Sequence, residues 1–310
     1  MTRHVYDTGS ARTFLGLPEE SSTFEESRVL VLPVPYDGTT SYRPGARFGP
    51  EAIIAASRFV ETYDEELGIS PACLGFHLLP EVPPAGTGAD EMTERIWRAA
   101  REVLGKAGDR FLLTLGGEHS VTPGVVRAFA ERYPDLSVLH LDAHADMRAE
   151  YEGTRNSHAC ACARMRDHVK TTVSVGIRSL SGEEAAAIRR DEVPVFWARE
   201  IAGRTDWIEK AIAGLGSTVY VTVDLDVFDP AIMPATGTPE PGGLSWYEVC
   251  ALLRETARRR EIVGADVVEL APAAGLHAPE FLAARLAVKL VTYAREAEIR
   301  DLDGGPALDE

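Results

Sequence analysis

The sequence has little cysteine and no long hydrophobic run. Its four cysteines, Cys73, Cys160, Cys162 and Cys250, include no C-x-x-C pair, and four scattered thiols do not make a disulfide framework. No apolar stretch approaches the roughly 18 residues that a transmembrane helix needs. The N-terminus also lacks the apolar run that follows the basic residues of a secretory signal. These absences predict a cytoplasmic protein.

Positive charge is scarce as well. Lysine and arginine number 32 against 48 aspartates and glutamates, which gives a formal net charge of −16. A basic surface supplies general affinity for nucleic acid and anionic membranes, so we expect neither as a partner. This shortage of positive charge is compatible with binding of a small cationic substrate, and equally with a surface charge that only keeps the protein soluble.

Apolar, β-branched runs alternate along the chain with segments of helical periodicity. Such alternation predicts right-handed crossovers and a mainly parallel sheet covered on both faces. No repeat or linker interrupts the chain, so we expect one domain over residues 1–310, with an N-terminal extension over about 1–27 and a flexible tail over 303–310. The predicted strands are Val29–Pro33, Phe111–Leu115, Leu136–Leu141, Thr172–Ile177, Val193–Phe196, Thr218–Val223 and Ile262–Glu269. The predicted helices are Pro50–Val60, Glu91–Leu104, Pro123–Arg132, Gly182–Arg190, Trp207–Leu215, Ser245–Arg259 and Pro279–Glu298.

Aspartates and histidines follow three of the predicted strands, at the point where each apolar run ends. In open parallel sheets, ligands bind at the carboxyl ends of the strands, so these side chains are candidates for one site. After Leu136–Leu141 come Asp142, His144 and Asp146, which an extended backbone would point to one side within about 13 Å of chain. The other candidates are His119 in Gly116–Ser120, and Asp224 and Asp226 after Thr218–Val223.

The charges of these candidates indicate a cation site. Without metal, four aspartates at adjacent strand ends would repel and raise one another's pKa. Two divalent cations balance four carboxylates, so we predict a pair of metals. Four oxygen donors with two imidazoles favour Mn(II) over a structural zinc. His140 lies one pleat pair behind Asp142, and we expect it to be hydrogen-bonded in the core rather than a ligand.

The same residues resemble the motifs of the ureohydrolase family, which contains arginases, agmatinases and guanidino-acid hydrolases. The family motifs G-G-[DE]-H-S, D-A-H-x-D and D-x-D-x-x-D-P read here as Gly116–Ser120, Asp142–Asp146 and Asp224–Pro230. Arg43–Pro50 looks like a segment that agmatinases carry in the same place. The resemblance implies an α/β fold of three layers with a mostly parallel eight-stranded sheet, and a homo-oligomer that is a trimer or a hexamer.

The resemblance also implies roles for single residues. One Mn(II) ion would be held by His119, Asp142, Asp146 and Asp224, and the other by Asp142, His144, Asp224 and Asp226. His158 matches the active-site histidine of the family, and Glu269 matches the acid that receives the substrate guanidinium. Asn156, two residues before His158, resembles a carboxylate contact of arginases.

The predicted reaction is hydrolysis of a guanidinium to urea and an amine. A hydroxide bridging the two metals is the expected nucleophile, because metal ions lower the pKa of bound water by many units. Asp146 would relay its proton to the leaving nitrogen, and Glu269 would hold the planar guanidinium. His158 would shuttle protons or help to position the substrate, and the sequence leaves both roles open.

The choice of guanidine depends on residues outside the motifs. Arginases follow the strand that corresponds to Thr172–Arg178 with an aspartate, and Ser179 stands there instead, which disfavours an arginase. A net-acidic protein with Glu118, Glu150 and Glu152 in its site loops suits agmatine, a dication. We therefore predict an agmatinase that releases putrescine and urea.

Two alternatives stay open at this point. A guanidino-acid hydrolase, for example one acting on guanidinobutyrate, would need a cation in its pocket, and Arg155 or Arg43 could supply one. The alternative outside the enzymes is a catalytically silent protein that binds guanidines.

Overall fold

An eight-stranded sheet runs through residues 12–303, the part of the chain that this computed structural model describes. Its strands are β1 (Val29–Val34), β2 (Phe76–Leu78), β3 (Phe111–Gly116), β4 (Ser137–Leu141), β5 (Thr171–Ile177), β6 (Val195–Trp197), β7 (Thr218–Asp224) and β8 (Glu261–Val268). The strand order is β2-β1-β3-β8-β7-β4-β5-β6, and each pair of neighbours is parallel. The predicted parallel α/β fold is confirmed.

Helices cover both faces of this sheet. They are α1 (Gly49–Ser57), α2 (Ala89–Ala107), α3 (Thr122–Arg132), α4 (Ala161–Met165), α5 (Gly182–Arg190), α6 (Ala198–Ile201), α7 (Ile208–Ala213), α8 (Trp246–Arg259), α9 (Ala278–Ala294) and α10 (Glu296–Asp303). Side chains of α1, α8 and α9 join a core on one face, and those of α2, α3 and α5 join a core on the other. The strands are buried on both sides, as their near-continuous apolar runs predict.

Local sequence explains how these elements start and which side they bury. Along β1, Val29 and Val31 pack into one core while Leu30 and Leu32 pack into the other, because strand side chains alternate between faces. Ser181 and Ser245 cap α5 and α8, and each forms a capping box with the glutamate three residues on. Both segments have the S-x-x-E sequence that is typical of such a box.

The differences from the predicted elements lie in short segments. The edge strand β2 is missing from the prediction because its three residues are too few for a periodic pattern. The helix predicted over Pro279–Glu298 is two helices, which separate at Arg295, where φ is −122° and ψ is 21°. Part of the predicted N-terminal extension belongs to the core, where Phe14 stacks on Phe76 with ring centroids 5.4 Å apart. Residues 1–11 and 304–310 lie outside the described chain.

Chain order brings four strand ends together in the middle of the sheet. The first three strands, β1 to β3, form one side of the sheet, and β4 to β6 form the other. The last two strands, β7 and β8, lie between β3 and β4. The carboxyl ends of β3, β8, β7 and β4 are therefore adjacent. Each is followed by candidate site residues, in agreement with the rule that ligands bind at this edge.

Candidate metal centre and active site

His119 follows β3 after two glycines that serve close packing. Two adjacent glycines would permit a sharp turn, but neither Gly116 nor Gly117 has a positive φ. A Cβ on Gly117 would instead lie 1.9 Å from the Tyr36 carbonyl oxygen, so only glycine lets the two backbones approach. His119 then starts a 3₁₀ turn and is almost completely buried.

Asp142, His144 and Asp146 follow β4 on a loop, which corrects the expectation that an extended backbone aligns them. The strand ends at Leu141, and His144 forms a single parallel bridge with Ser179. Asp146 has a φ of 50°, a left-handed conformation that is uncommon for a residue other than glycine. The three side chains converge because the loop folds back, rather than because strand residues alternate.

Asp224 and Asp226 also meet through a turn. Asp224 is the last residue of β7, and Asp226 lies in the 3₁₀ turn that follows. The backbone N–H of Asp226 donates to Asp224 Oδ1 at 2.9 Å, and Asp226 Oδ1 accepts from the Ala143 N–H at 3.0 Å. Arg178, at the end of β5, donates to the Asp226 carbonyl at 2.6 Å and so holds this turn in place.

The six predicted ligands form two adjoining groups that share Asp142. In the first, His119 Nδ1 lies 3.0 Å from Asp142 Oδ2, 3.2 Å from Asp224 Oδ2 and 3.6 Å from Asp146 Oδ2. In the second, His144 Nδ1 lies 2.9 Å from Asp226 Oδ2 and 3.5 Å from Asp142 Oδ1. The donor atoms of His119, Asp142 and Asp146 lie within 4.8 Å of one another, as do those of Asp142, His144 and Asp226.

The surroundings of the His119 ring show that the first group fits a cation. The Thr222 hydroxyl donates its single proton to Asp266 Oδ1 at 2.5 Å, so its oxygen accepts from His119 Nε2 at 2.9 Å. The buried Nδ1 has no hydrogen-bond partner among residues 12–303, and in the neutral ring it would carry a lone pair toward three carboxylates. Against the effect of burial, Asp142 and Asp224 raise the pKa of His119 well above its ordinary value, so positive charge is favoured at this position, as a proton on Nδ1 or as a metal ion.

The pKa values of two of the aspartates show that negative charge is unfavourable in this group. Burial, followed by the charges of Asp226 and Asp142, raises the pKa of Asp224 well above its ordinary value. Burial and the charge of Asp142 raise the pKa of Asp146 to about 8. These carboxyl groups therefore hold protons that a divalent cation would displace.

His140 has no ring nitrogen left for a metal ion. Its Nδ1 pairs with Ser174 Oγ at 3.1 Å and its Nε2 pairs with Asp142 Oδ2 at 2.8 Å. The residue is fully buried, in keeping with the expected hydrogen-bonded core position. A contact of this kind fixes the orientation of the Asp142 carboxylate.

Glu269 follows β8 and lies at the same edge of the sheet as the candidate metal ligands. Its φ is 67°, and its Oε1 accepts the backbone N–H of His119 at 2.7 Å. Burial, then the charge of Glu118, raises the pKa of Glu269 well above its ordinary value. Its Oε2 lies beside Gly237, where a Cβ would come within 3.6 Å of that oxygen. A buried carboxylate with one oxygen facing a glycine is suited to a planar cation.

His158 lines a cavity of about 230 Å³ together with His144 and Asp146. Burial, followed by the charge of His144, lowers the pKa of His158 to about 4, so the ring is neutral at pH 7. The structure does not bring Asn156 into this cavity, because its amide donates to Asp90 Oδ1 at 2.7 Å. A substrate contact through Asn156 stays a prediction.

The cavity contains a cation and an anion that sequence reasoning missed. Arg148 lies over the Tyr151 ring at 4.8 Å, and its Nε is 3.7 Å from Glu184 Oε2. The S-x-x-E capping pattern of Ser181 could have identified Glu184 as an ordered residue, but no local pattern pairs it with Arg148. Arg155, expected as a possible pocket cation, instead pairs with Asp167 at 2.9 Å.

The three acids expected near the substrate, Glu118, Glu150 and Glu152, differ in their exposure to solvent. Glu150 and Glu152 are exposed. Glu118 is fully buried and binds hydroxyl groups of neighbouring loops, so it does not contribute to an acidic rim.

Comparison with known proteins places this arrangement in a family. The sequence profile of the arginase family matches residues 27–293. The chain belongs to the arginase family. An N(1)-aminopropylagmatine ureohydrolase from Synechocystis sp. is 41% identical to it over 292 residues, which are 92% of this chain and 94% of the relative. An agmatinase from Bacillus cereus is 36% identical over 260 residues, 81% and 86% of the two chains.

A solved structure agrees with this assignment. The agmatine ureohydrolase of Thermoplasma volcanium matches with a TM-score of 0.83 at 29% identity, covering 94% of this chain and 97% of its own. The expected ureohydrolase fold and hydrolase class are therefore confirmed, and this arginase-family chain acts on a linear amidine C–N bond. Within residues 12–303, no helix has the length and apolarity needed to cross a membrane.

Proposed function

We propose that this chain, with two Mn(II) ions bound, hydrolyses the guanidinium of an agmatine-type cation to urea and a polyamine. The observation that carries the proposal is the buried His119 Nδ1 atom, which faces Asp142, Asp146 and Asp224 beside Glu269. One ion would be held by His119 and these three aspartates, and the other by Asp142, His144, Asp224 and Asp226. Two divalent cations bound there would lower the pKa of water and so supply a nucleophile near neutral pH.

Glu269 is proposed to hold the substrate guanidinium. Its Oε1 is fixed by the His119 N–H, which leaves Oε2 to accept from the guanidinium. The pKa of this carboxyl is raised by burial and by Glu118, so a cation beside it relieves an unfavourable charge. Charge-assisted pairing of this kind fixes the planar group in one orientation.

Asp146 and His158 are proposed to handle protons and position the substrate. Asp146 has a pKa raised to about 8 by burial and by Asp142, which suits a carboxyl group that takes up a proton and passes it to the leaving nitrogen. His158 is neutral at pH 7 because burial, and next the charge of His144, lowers its pKa to about 4. A neutral ring in the cavity can bond the substrate without repelling its charge.

Two cations are candidates for the substrate. Agmatine is the sequence expectation, and the Bacillus cereus relative carries the name agmatinase. The higher identity to proteins named N(1)-aminopropylagmatine ureohydrolase, 41% in Synechocystis sp. and 42% in Thermus thermophilus, favours the longer cation. The cavity walls supply hydroxyl groups to which additional ammonium groups can donate, those of Ser41, Ser179, Ser181 and Thr238.

A guanidino acid is the second candidate class, and Arg148 is the observation that favours it. Its guanidinium lines the cavity and could pair with a carboxylate. Glu184 lies 3.7 Å from Arg148 Nε and offsets that charge, so the cationic substrates remain our first choice. Location in the cytoplasm and assembly into a trimer or hexamer are further proposals that await measurement.

Urea release from the Mn(II)-loaded protein tests the assignment. N(1)-aminopropylagmatine, agmatine, guanidinobutyrate and arginine are supplied separately, and kcat/KM is compared. We expect turnover of a cationic substrate to exceed that of guanidinobutyrate by at least about tenfold. Urea from guanidinobutyrate alone would move the substrate to the guanidino acids, and urea from none of the four would refute the proposal.

A further inference from the structure

A row of three hydroxyl residues, Thr39, Thr40 and Ser41, contacts a buried carboxylate through its first two members. Glu118 Oε1 accepts from Thr39 Oγ1 at 2.5 Å, and Oε2 accepts from Thr40 Oγ1 at 2.9 Å. The Thr39 backbone N–H also donates to this carboxylate, at 3.0 and 3.1 Å. Glu118 is 0% exposed, so these bonds, together with one from Ser120 Oγ to Oε1 at 2.6 Å, satisfy it away from water.

The same row meets His158, which is 119 residues away from Thr39 in sequence. The backbone N–H of His158 donates to Thr39 Oγ1 at 2.9 Å, and the ring Nε2 pairs with Ser41 Oγ at 3.2 Å. Thr39 has a single hydroxyl proton, which goes to Glu118. Its oxygen is therefore left to accept from His158, and the direction of that hydroxyl is set by the Glu118 carboxylate.

The far end of this segment is anchored separately. The buried Asp37 carboxylate accepts from the backbone N–H of Gly45 at 2.8 Å and of Arg47 at 3.3 Å, and it also pairs with the Arg47 guanidinium. Residues 37–47 thus form a loop that is closed on itself by Asp37 and tied to the core by Glu118. Its inner residues cannot shift without breaking one of these contacts.

We propose that Thr39, with its hydroxyl oriented by Glu118, is the positioning residue that, together with Ser41, sets where His158 meets the substrate. Thr39 fixes the backbone at residue 158 and Ser41 fixes its ring, so the two contacts together define the position of the imidazole in the cavity. Small displacements of such a group, of about 1 Å, lower rates by roughly 100-fold. The inference rests on the proposed guanidine hydrolysis for its kinetic consequence, but its structural part can be measured without turnover.

Thr39→Val and Thr40→Val form a matched pair for the test. Each variant removes one hydroxyl donor to Glu118 and keeps the side-chain volume, but only Thr39 contacts His158. Hydrogen–deuterium exchange of the Mn(II)-loaded protein reads the amide of residue 158 directly. We expect exchange at this amide to be about tenfold faster in Thr39→Val, as the loss of a typical hydrogen bond predicts, and unchanged in Thr40→Val.

A double-mutant cycle with His158→Asn gives the kinetic readout. We expect Thr39→Val to lower kcat/KM by roughly 10- to 100-fold in the wild-type background and by less than twofold when His158 is already Asn. Thr40→Val should lower kcat/KM less than threefold, and all single variants should retain two metal ions. Melting temperatures within a few degrees of wild type check that the fold is kept.

Three results would overturn the inference. Unchanged exchange at residue 158 in Thr39→Val would mean that this hydroxyl does not hold the backbone there. Equal losses of kcat/KM in both backgrounds would mean that Thr39 acts independently of His158. Loss of metal in Thr39→Val would place its effect on His119 instead. Absence of urea from wild-type protein would refute the proposed function alone, because the exchange measurement needs no substrate.

Discussion

The hydroxyl of Thr222 decides which nitrogen of His119 is free to bind metal. It donates to Asp266 and accepts from His119 Nε2, which leaves the Nδ1 lone pair facing the aspartates. Replacing Thr222 by the isosteric Val removes the acceptor and the restraint on the tautomer. The neutral ring can then keep its proton on Nδ1, where it must be displaced before a cation binds.

The size of this effect follows from the contact that is lost. A buried N–H left without an acceptor costs about 1–3 kcal/mol, and the ring is 1% exposed, so water cannot replace the bond. Loss of the partner that orients a ligating histidine typically weakens metal binding by about 10- to 100-fold, which corresponds to about 1.4–2.8 kcal/mol. The two ranges agree, and we expect Mn(II) affinity of Thr222→Val to fall within them.

Competition with a chelator for Mn(II) measures the change, and two variants control it. Thr222→Ser keeps the hydroxyl and should bind within about threefold of wild type. Tyr220→Phe removes the other hydroxyl that donates to Asp266, at 2.9 Å, without touching His119, and should behave likewise. Equal Mn(II) affinity in Thr222→Val and wild type would refute the tautomer argument, as would an equal loss in Tyr220→Phe.

Three further predictions concern charge in the cavity. Glu269→Gln should retain both metals but lower kcat/KM at least about 100-fold, since it removes the charge that pairs with the guanidinium. Loss of metal in this variant, measured by elemental analysis, would contradict the role of Glu269 in substrate binding. Glu184→Gln leaves Arg148 unpaired and should therefore raise the ratio of kcat/KM for guanidinobutyrate over agmatine about tenfold. Glu248→Gln changes the glutamate of the other capping box and should leave that ratio unchanged. The same ratio in both variants would count against a role of Glu184 in substrate choice. In the metal-free protein burial, followed by the charge of Asp142, raises the pKa of Asp146 to about 8. The folded protein therefore keeps a proton that the unfolded chain releases above about pH 4, and this difference lowers the free energy of unfolding as pH rises from about 4 through 8. Asp146→Asn should therefore become progressively more stable than wild type over this pH range in urea unfolding, and a gain independent of pH would contradict the charge argument.

The sequence predicted those helices and strands whose hydrophobic pattern extends over several residues. The run from Thr218 to Val223 is apolar and β-branched, and it is strand β7. The three residues of β2 carry no such pattern, because the strand is defined by pairing with β1 rather than by its own composition. Arg295, where the last two helices separate, likewise has no local signal of the kind that glycine or proline gives.

The clustering of the candidate residues was predicted better than their geometry. The aspartates and histidines could be found because each follows a strand end, and strand ends converge in a parallel sheet. Their alignment by alternation was wrong, since Asp146 and Asp226 lie on turns whose backbone angles depend on contacts with distant residues. The bond from Arg178 to the Asp226 carbonyl and that from Thr39 to Glu118 are such contacts, and no spacing rule within one segment reveals them.

The net charge of the chain did not predict which charged side chains line the cavity. The excess of acids suggested a pocket that attracts dications, yet Glu118 is buried among hydroxyls and the cavity wall carries an arginine. Under the proposed function, two divalent ions would balance the four aspartates and Glu184 would offset Arg148, which would leave Glu269 as the carboxylate that meets the guanidinium. The remote ammonium would then meet hydroxyl groups rather than a counter-ion. Discrimination against guanidino acids would therefore depend on one ion pair, and not on the surface charge of the chain.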